Sequence, residues 1–141
     1  MVRRSILRLL DANANRALEG LRVCEEIVRF HLEARMAFKQ LRTLRHAIAA
    51  ALRRLPVSPA ELVRARGSGR DIGRQAPAPR EASLERLLLI NFQRTKESLR
   101  VLEECARVLA PRHHATFQRL RFRTYDIERD LVLSLAALRY H

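Results

Sequence analysis

The chain has 141 residues, a length that suits one domain with a single hydrophobic core, so we expect residues 1–141 to form one domain. A hydrophobic share of 48% excludes a disordered chain, and a charged share of 30% without a long apolar run excludes a membrane span. Four glycines and an aromatic share of 5% argue against an all-β sandwich, while a net charge of +13 requires either an anionic partner or a large solvated surface.

The first segment with helical periodicity covers residues 5–33, and the second covers residues 35–55. The first begins after a basic start without the apolar stretch of a secretory signal, so we expect a cytoplasmic protein. Cys24 in the first segment and Cys105 in a later one lack metal or redox spacing, which favours reduced, partly buried thiols.

Residues 56–80 hold four of the five prolines and three of the four glycines, so we predict a long Gly/Pro/Arg-rich loop there. Two more helical segments follow, over residues 81–110 and 114–139, and no segment has the pattern of a strand. The sequence therefore predicts an all-α fold of four long antiparallel helices, with the loop between the two pairs.

The chain repeats itself with an offset of 78 residues. Residues 19–29 read EGLRVCEEIVR and residues 97–107 read ESLRVLEECAR, and Asn13 and Arg16 match Asn91 and Arg94. With one residue of slippage the repeat continues further, and this continuation pairs Phe38 with Phe117, Leu41 with Leu120 and Arg42 with Arg121. We therefore expect a duplicated helical hairpin, with halves at about 5–55 and 82–139.

The repeated residues place a polar strip beside the apolar face of each helix. In the first repeat the strip contains Asn15, Glu19, Arg22 and Glu26. In a single helix this spacing is typical of ordinary surface ion pairs. Recurrence of the same polar types in both halves favours instead a polar cluster between helices. We expect the two strips to converge on a positively charged, ligand-sized cavity.

The long loop carries RARGSGRDIGRQ at residues 64–75, where arginines alternate with glycines. Glycine lets backbone N–H groups approach an oxyanion, and arginine forks onto phosphate. A solvated linker has a similar composition, and the segment is not a P-loop. We nominate the following residues of this loop for phosphate binding: Arg66, Arg70, Asp71 and Gly73.

Several stretches resemble a small all-helical family of hydroxymethylpyrimidine-phosphate kinases linked to thiamine biosynthesis. They are LLDANANRALEGLRVCEEIVRF at 9–30, LRHAI at 44–48, RDIG at 70–73, NFQRTKESLRVLEE at 91–104 and FQRLRFRTYDIE at 117–128. That family occurs as free-standing proteins or as an extra N-terminal domain of thiamine-phosphate synthase. With no synthase barrel after His141, this chain resembles the free-standing form.

The resemblance implies transfer of the γ-phosphoryl group of ATP, with Mg²⁺, to 4-amino-5-hydroxymethyl-2-methylpyrimidine phosphate. Chemistry then suggests roles for the repeated residues. Arginines would neutralise the two anionic groups, and the candidates are Arg16, Arg22, Arg94 and Arg100. Asn13, Asn15, Glu19, Asn91 and Glu97 would contact the substrate, with Phe30 or Phe92 covering its ring. Glu26, Glu104 and Asp71 are the candidate metal ligands.

A non-catalytic module is the main alternative: a helical bundle that binds a phosphorylated pyrimidine or docks on thiamine-phosphate synthase. The missing nucleotide motif favours this alternative. Nucleic-acid binding is a weaker hypothesis, since no helix-turn-helix or aromatic-interleaved basic stretch is visible. We expect no membrane partner, and a homodimer is compatible with the long helical faces.

Overall fold

The computed structural model describes residues 2–67, 71–74, 76–81 and 83–139. Its long helices are α1 at Val2–Ile27, α2 at Arg35–Arg53, α4 at Leu84–Leu109 and α5 at His114–Arg139, with a shorter helix α3 at Pro59–Ala65. The described residues contain no strand, which confirms the all-α prediction. No helix among them is long and apolar enough to cross a membrane.

The four long helices form a ring in which α1 packs on α4, α4 on α5, α5 on α2 and α2 on α1. Cys24 lies against Leu88 while Ala17 lies against Thr95, so α1 and α4 run antiparallel. Leucines, isoleucines and two phenylalanines from all four helices fill one hydrophobic core. Burial of these side chains is the main force that holds the ring together.

The segment predicted as a loop contains the fifth helix, α3, which corrects the sequence-based expectation. Ser58 accepts a hydrogen bond from the backbone N–H of Glu61, and the Glu61 carboxylate accepts one from the N–H of Ser58. Pro59 follows at the first helical position, where its missing N–H costs nothing. The SPAE sequence is therefore a helix start that the proline and glycine content of the loop obscured.

The turn between α1 and α2 differs from the turn between α4 and α5. The first contains a π-helical turn at Val28–Leu32 and a left-handed residue, Glu33, whereas a single 3₁₀ turn at Pro111–His113 links the second pair. The chain from Glu25 to Arg45 is two residues longer than the corresponding chain from Glu103 to Arg121. This difference changes the register of the repeat beyond the turns. As a result, the offset that relates residues of α2 to those of α5 differs from the offset of 78 that relates α1 to α4.

The structure corrects the predicted alignment of α2 with α5. The equivalent buried positions differ by 76 residues, as for Leu41 and Phe117, Leu44 and Leu120, Ile48 and Thr124, Ala51 and Ile127, and Leu55 and Leu131. Ion pairs agree, because Arg45 bonds Glu25 and Arg121 bonds Glu103. The predicted pairing of Arg42 with Arg121 is therefore wrong, and Arg42 is exposed.

Candidate functional site

A pocket of about 600 Å³ lies between α1 and α4, and we call it the inter-repeat pocket. Each helix contributes five residues, and every residue from α1 has a partner 78 positions later on α4. The pairs are Asn13 and Asn91, Arg16 and Arg94, Glu19 and Glu97, Gly20 and Ser98, and Val23 and Val101. The strongest part of the sequence repeat is thus brought together in space.

Small side chains allow α1 and α4 to approach closely at the base of this pocket. A Cβ at Gly20 would lie only 2.8 Å from Thr95 Oγ1 and 3.2 Å from the carbonyl oxygen of Asn91. The same Thr95 hydroxyl donates a hydrogen bond to the carbonyl oxygen of Ala17 at 3.5 Å. Sequence analysis missed Gly20 as a site residue, although its repeat partner, Ser98, is equally small.

Two asparagines are held in the same way at one end of the pocket. The Asn13 amide donates to the carbonyl oxygen of Leu9 at 2.9 Å, and the Asn91 amide donates to that of Leu87 at 2.8 Å. Because a carbonyl oxygen only accepts, each NH₂ group must point along its own helix. The orientation of each amide is thereby fixed, and its oxygen is kept as an acceptor.

Two guanidiniums and two carboxylates share this pocket. Arg16 and Arg94 are exposed, and neither forms an ion pair with another part of the chain that the structure describes. Glu97 accepts a hydrogen bond from Gln93 at 3.0 Å, and Glu19 is its counterpart. The formal charges of this set cancel, which corrects the expectation of a positively charged cavity. Such a set suits a ligand that carries both an anion and hydrogen-bond donors.

The other two arginine candidates, Arg22 and Arg100, do not line the inter-repeat pocket. Arg22 lies 3.3 Å from Glu26 and 4.0 Å from Glu25, and Arg100 lies 3.3 Å from both Glu103 and Glu104. Their guanidiniums are therefore engaged by carboxylates on their own helices, as in ordinary helix ion pairs. The structure thus separates these two arginines from the pair that borders the pocket.

Each of these arginines borders a buried carboxylate, and the two arrangements match. Arg45 Nε donates to Glu25 at 2.5 Å, and Arg121 Nε donates to Glu103. The Glu103 side chain is completely buried. A buried carboxylate is costly unless a cation and hydrogen bonds compensate it, so these glutamates tie the helices of each pair together.

None of the three candidate metal ligands lines the inter-repeat pocket. Glu26 pairs with Arg22, and Glu104 pairs with Arg100 and Arg107. Among the described residues, Glu103, Glu104 and His114 do place ligand atoms within 4.8 Å of one another. A cation there would face the guanidiniums of Arg100 and Arg121, so the cluster is better explained by its ion pairs.

The two aromatic candidates do not reach the pocket. Phe92 is completely buried in the hydrophobic core, which leaves no ring face for a ligand. Phe30 is two-thirds exposed in the π-helical turn, where the Arg29 guanidinium lies 4.6 Å from its ring centre. The prediction that either ring covers the substrate is corrected, because the apolar walls of the pocket are instead Val23 and Val101.

A second pocket of about 740 Å³ adjoins the first, and we call it the loop-side pocket. Asn13 and Arg16 line both pockets, so the two pockets are neighbours. The remaining walls come from the first turns of α1 and from the loop, and they include Ser5, Arg8, Asp11, Asn15, Arg66, Gly67 and Asp71. Sequence analysis missed Arg8 and Asp11 because they precede Asn13, the first of the residues that were matched between the two halves.

The loop residues of this pocket are arranged around one ion pair. Arg66 donates from Nε and Nη2 to the two oxygens of Asp11 at 2.7 and 3.0 Å, a bidentate pair. The Asp71 carboxylate accepts a hydrogen bond from the N–H of Gly73 at 2.9 Å, and Gly73 itself lines neither of these two pockets. Arg70, also predicted to bind phosphate, lies outside the described residues. Of the predicted loop residues, Arg66 and Asp71 thus reach the pocket.

The cysteines offer no reactive thiolate. Cys24 and Cys105 are free and buried. Burial raises the pKa of the Cys24 thiol far above its usual range, with a smaller contribution from Glu128, and burial also raises that of Cys105. Both therefore stay protonated at neutral pH and serve as packing residues, consistent with their prediction as unreactive thiols.

The structure is thus that of a small helical protein with two adjoining polar pockets beside the antiparallel helices α1 and α4. This chain belongs to the ThiD2 family, which it matches over residues 8–130. The match includes every pocket residue named above except Ser5.

Curated relatives match this chain along most of its length. It is 40% identical over 131 residues to a thiamine-phosphate synthase from Synechocystis sp., covering 91% of this chain and 36% of the relative. It is 36% identical over 138 residues to the Rhodopirellula baltica thiamine-phosphate synthase, covering 96% of this chain and 36% of the relative. The chain thus spans about a third of these relatives. No solved structure gives a significant match.

Proposed function

We propose that this protein acts in thiamine biosynthesis as a kinase that converts 4-amino-5-hydroxymethyl-2-methylpyrimidine phosphate to its diphosphate with ATP. One observation carries the proposal: the inter-repeat pocket and the loop-side pocket adjoin each other and share Asn13 and Arg16 as lining residues. A phosphoryl transfer requires two anionic ligands in contact, and this arrangement offers two adjoining compartments. Similarity to part of several thiamine-phosphate synthases supports the pathway.

The inter-repeat pocket would hold the pyrimidine phosphate. Arg16 and Arg94 project from opposite helices and would neutralise the phosphate. Glu19 and Glu97 would accept hydrogen bonds from the exocyclic amine, beside the fixed amide oxygens of Asn13 and Asn91. The ring would pack between the two valines. This set of acceptors and guanidiniums explains why a pocket of zero formal charge suits the ligand.

The loop-side pocket would hold the triphosphate of ATP, between Arg8 and Arg16. Mg²⁺ is commonly bound through one or two carboxylates together with substrate phosphates. Asp71 fits that requirement, since its carboxylate lines this pocket. Bound Mg²⁺ would supply charge neutralisation of the transferring phosphoryl group. Of the three predicted metal ligands, Asp71 is the one that we retain.

The proposed phosphoryl transfer requires the protein to position the two ligands and to neutralise their charge, without a general base. The second pKa of a phosphomonoester is about 6, so at neutral pH the substrate is mostly a dianion and no general base is needed. One of its phosphate oxygens bonds to the γ-phosphorus as the bond from that phosphorus to the β–γ bridging oxygen breaks, and ADP leaves. Arg16, which lines both pockets, would align the groups together with Arg8 and Arg94 and offset their repulsion.

The same contacts support a duplicated hairpin as the origin of the fold. The five pairs of pocket residues, the asparagine amides and the glutamate–arginine pairs recur in both halves. We propose that the site arose where two copies of a hairpin met along α1 and α4. Each copy would then contribute one arginine to the same phosphate.

Turnover tests the proposal directly. Purified protein with ATP, Mg²⁺ and the pyrimidine monophosphate should release ADP and form the diphosphate, observed by phosphorus NMR. Because each guanidinium faces the transferring groups, Arg16→Gln and Arg94→Gln should each lower kcat/KM about 100-fold. Arg107→Gln is the matched control, since Arg107 forms an exposed pair with Glu104 on the same helix as Arg94.

The alternative function gives a different result in the same experiment. A non-catalytic binding module would be stabilised against heat by the pyrimidine monophosphate without releasing ADP. The absence of a P-loop motif from the sequence favours this candidate, since a binding module needs no site for a nucleotide. Equal turnover by all three arginine variants would contradict the placement of the site.

A further inference from the structure

A third cavity, the apolar cleft, lies between α1, α2 and α3 and has a volume of about 530 Å³. Its walls are mainly aliphatic and include Leu10, Ala14, Leu18, Ala49, Leu52 and Leu62. Ligand sites of this size are typically apolar with a few polar groups at one side. Here the polar residues are Arg53 and a group of three, Asp11, Asn15 and Arg66.

The same three polar residues also line the loop-side pocket. The apolar cleft and the loop-side pocket therefore share a border, which is formed by the Arg66–Asp11 ion pair and by Asn15. A ligand with an anionic end and a flat apolar end can span this border. Its anion would lie among the arginines, and its ring would lie in the cleft.

Helix α3 forms one wall of the apolar cleft and is held against α1 at both of its ends. Near its start, Arg3 Nη2 donates to Glu61 at 3.0 Å, and just after its end Arg66 donates to Asp11. The capping box at Ser58 fixes the first turn. The wall is thus held by specific contacts at both ends, while the cleft behind it is open.

Comparison with the second half of the chain shows that this space is specific to the first half. The counterpart of Leu18 is Lys96, at an offset of 78, and the counterparts of Ala49 and Leu52 are Tyr125 and Glu128, at an offset of 76. Lys96 Nζ donates to Glu128 at 2.7 Å and lies 4.7 Å from the centre of the Tyr125 ring. An ion pair and an aromatic ring therefore occupy the position that is open in the first half.

We propose that the apolar cleft binds the purine ring of the nucleoside triphosphate that donates the phosphoryl group. This assignment rests on the proposed kinase function and deepens it, because it gives the nucleotide a base site in a chain without a P-loop. The triphosphate would cross the border at Asn15 and Arg66 into the loop-side pocket. Only one nucleotide would bind per chain, since the second half has its equivalent space filled.

The test introduces the aromatic side chain of Tyr125 at the equivalent position of the first half, Ala49. Ala49→Tyr should fill the cleft with a ring like that of Tyr125, and it should raise the KM for ATP and weaken ADP binding by calorimetry at least about tenfold. The KM for the pyrimidine monophosphate should stay within about twofold, because the inter-repeat pocket is separate. Ala115→Tyr on the exposed side of α5 is the matched control and should change neither.

A second variant tests nucleotide binding in the apolar cleft if Ala49→Tyr fails to fold. Val63 lines the cleft and is half exposed, so Val63→Asp should fold and should also weaken ADP binding about tenfold or more. Unchanged ADP affinity in a folded variant overturns the proposal, as would inorganic tripolyphosphate serving as well as ATP. Binding of ADP in the cleft without any turnover would instead overturn the kinase function and retain the nucleotide site.

Discussion

The two helix pairs agree along the contact between α1 and α4 and differ in the groove between the helices of each pair. Along the contact, five pairs of residues recur at one offset. In the grooves, the first pair leaves an apolar cleft, whereas Lys96, Tyr125 and Glu128 occupy the second. The contact surface is the same in both halves, which indicates that both halves contribute to one role there. The grooves differ, which indicates that each groove has specialised.

The largest effect on stability should come from the buried carboxylates that both halves share. Glu103→Gln removes a charge that compensates Arg121 and Arg100, and Glu25→Gln does the same to Arg45 and Arg22. Breaking a buried pair leaves an uncompensated cation, so each variant should lose about 3 kcal/mol of unfolding free energy in urea titrations.

The two variants should also differ from each other in the unfolding free energy that they lose. The Arg121 side chain is 12% exposed and that of Arg45 is 22% exposed, so Glu103→Gln should cost at least as much as Glu25→Gln. Glu104→Gln, on the exposed side of α4, is the control and should cost less than about 0.5 kcal/mol. A loss below 1 kcal/mol in both buried variants would show that the matching pairs do not hold the halves together.

A smaller effect should come from the crossing of α1 and α4. Gly20→Ala gains helix propensity of about 1 kcal/mol, but its Cβ would lie 2.8 Å from Thr95 Oγ1 and 3.2 Å from a backbone oxygen. Because overpacking typically costs about 1–3 kcal/mol, we expect a net loss of about 1 kcal/mol by chemical denaturation.

The counterpart position provides the control for this crossing. Ser98→Ala removes an atom rather than adding one, so its unfolding free energy should stay within about 0.5 kcal/mol of the parent. Combining Gly20→Ala with Thr95→Ala should recover part of the loss, since the clashing hydroxyl is gone. If Gly20→Ala alone were stabilising, the helices would have to be able to separate without cost at this point.

The smallest effect concerns α3. The N–H of Ser58 and the Arg3 guanidinium hold the pKa of Glu61 below its ordinary value. A carboxyl group with a depressed folded-state pKa stabilises the fold at higher pH. This stabilisation is complete above the ordinary pKa of glutamate and is lost as the pH falls through the lower folded-state value.

Two measurements check this pH dependence. Carbon NMR of the Glu61 carboxyl should show titration below that of an unperturbed glutamate, and the thermal stability of Glu61→Gln should depend less on pH in that acidic range. Titration of Glu61 at or above its ordinary pKa would contradict the capping and ion-pair contacts that hold α3 against α1.

Much of the fold follows from the sequence, since apolar periodicity is a local signal. The four long helices lie close to their predicted bounds, and α4 begins at Leu84 because Ser83 accepts a hydrogen bond from the N–H of Arg86. Helix α3 was missed because prolines and glycines around it outweighed a short capping signal. The register of α5 was wrong because turn lengths are set by contacts that a repeat alignment does not show.

The candidate site was predicted in part. Because the same polar residues recur in both halves, the sequence predicted Asn13, Arg16, Glu19 and their partners as site residues. These residues do lie together. The same identity also selected Arg22 and Arg100, whose repeated role is to compensate buried glutamates, because a conserved ion pair and a ligand contact leave the same pattern in a repeat. Arg8, Asp11 and the apolar cleft depend on the placement of α3, which the sequence did not predict.

A crystal structure with the pyrimidine monophosphate and a non-hydrolysable ATP analogue would test the central claim most directly. We predict that the phosphate of the pyrimidine lies within hydrogen-bond distance of both Arg16 and Arg94, with the triphosphate beside it between Arg8 and Asp71. A pyrimidine phosphate bound away from the α1–α4 contact, with Arg94 still facing solvent, would contradict the account.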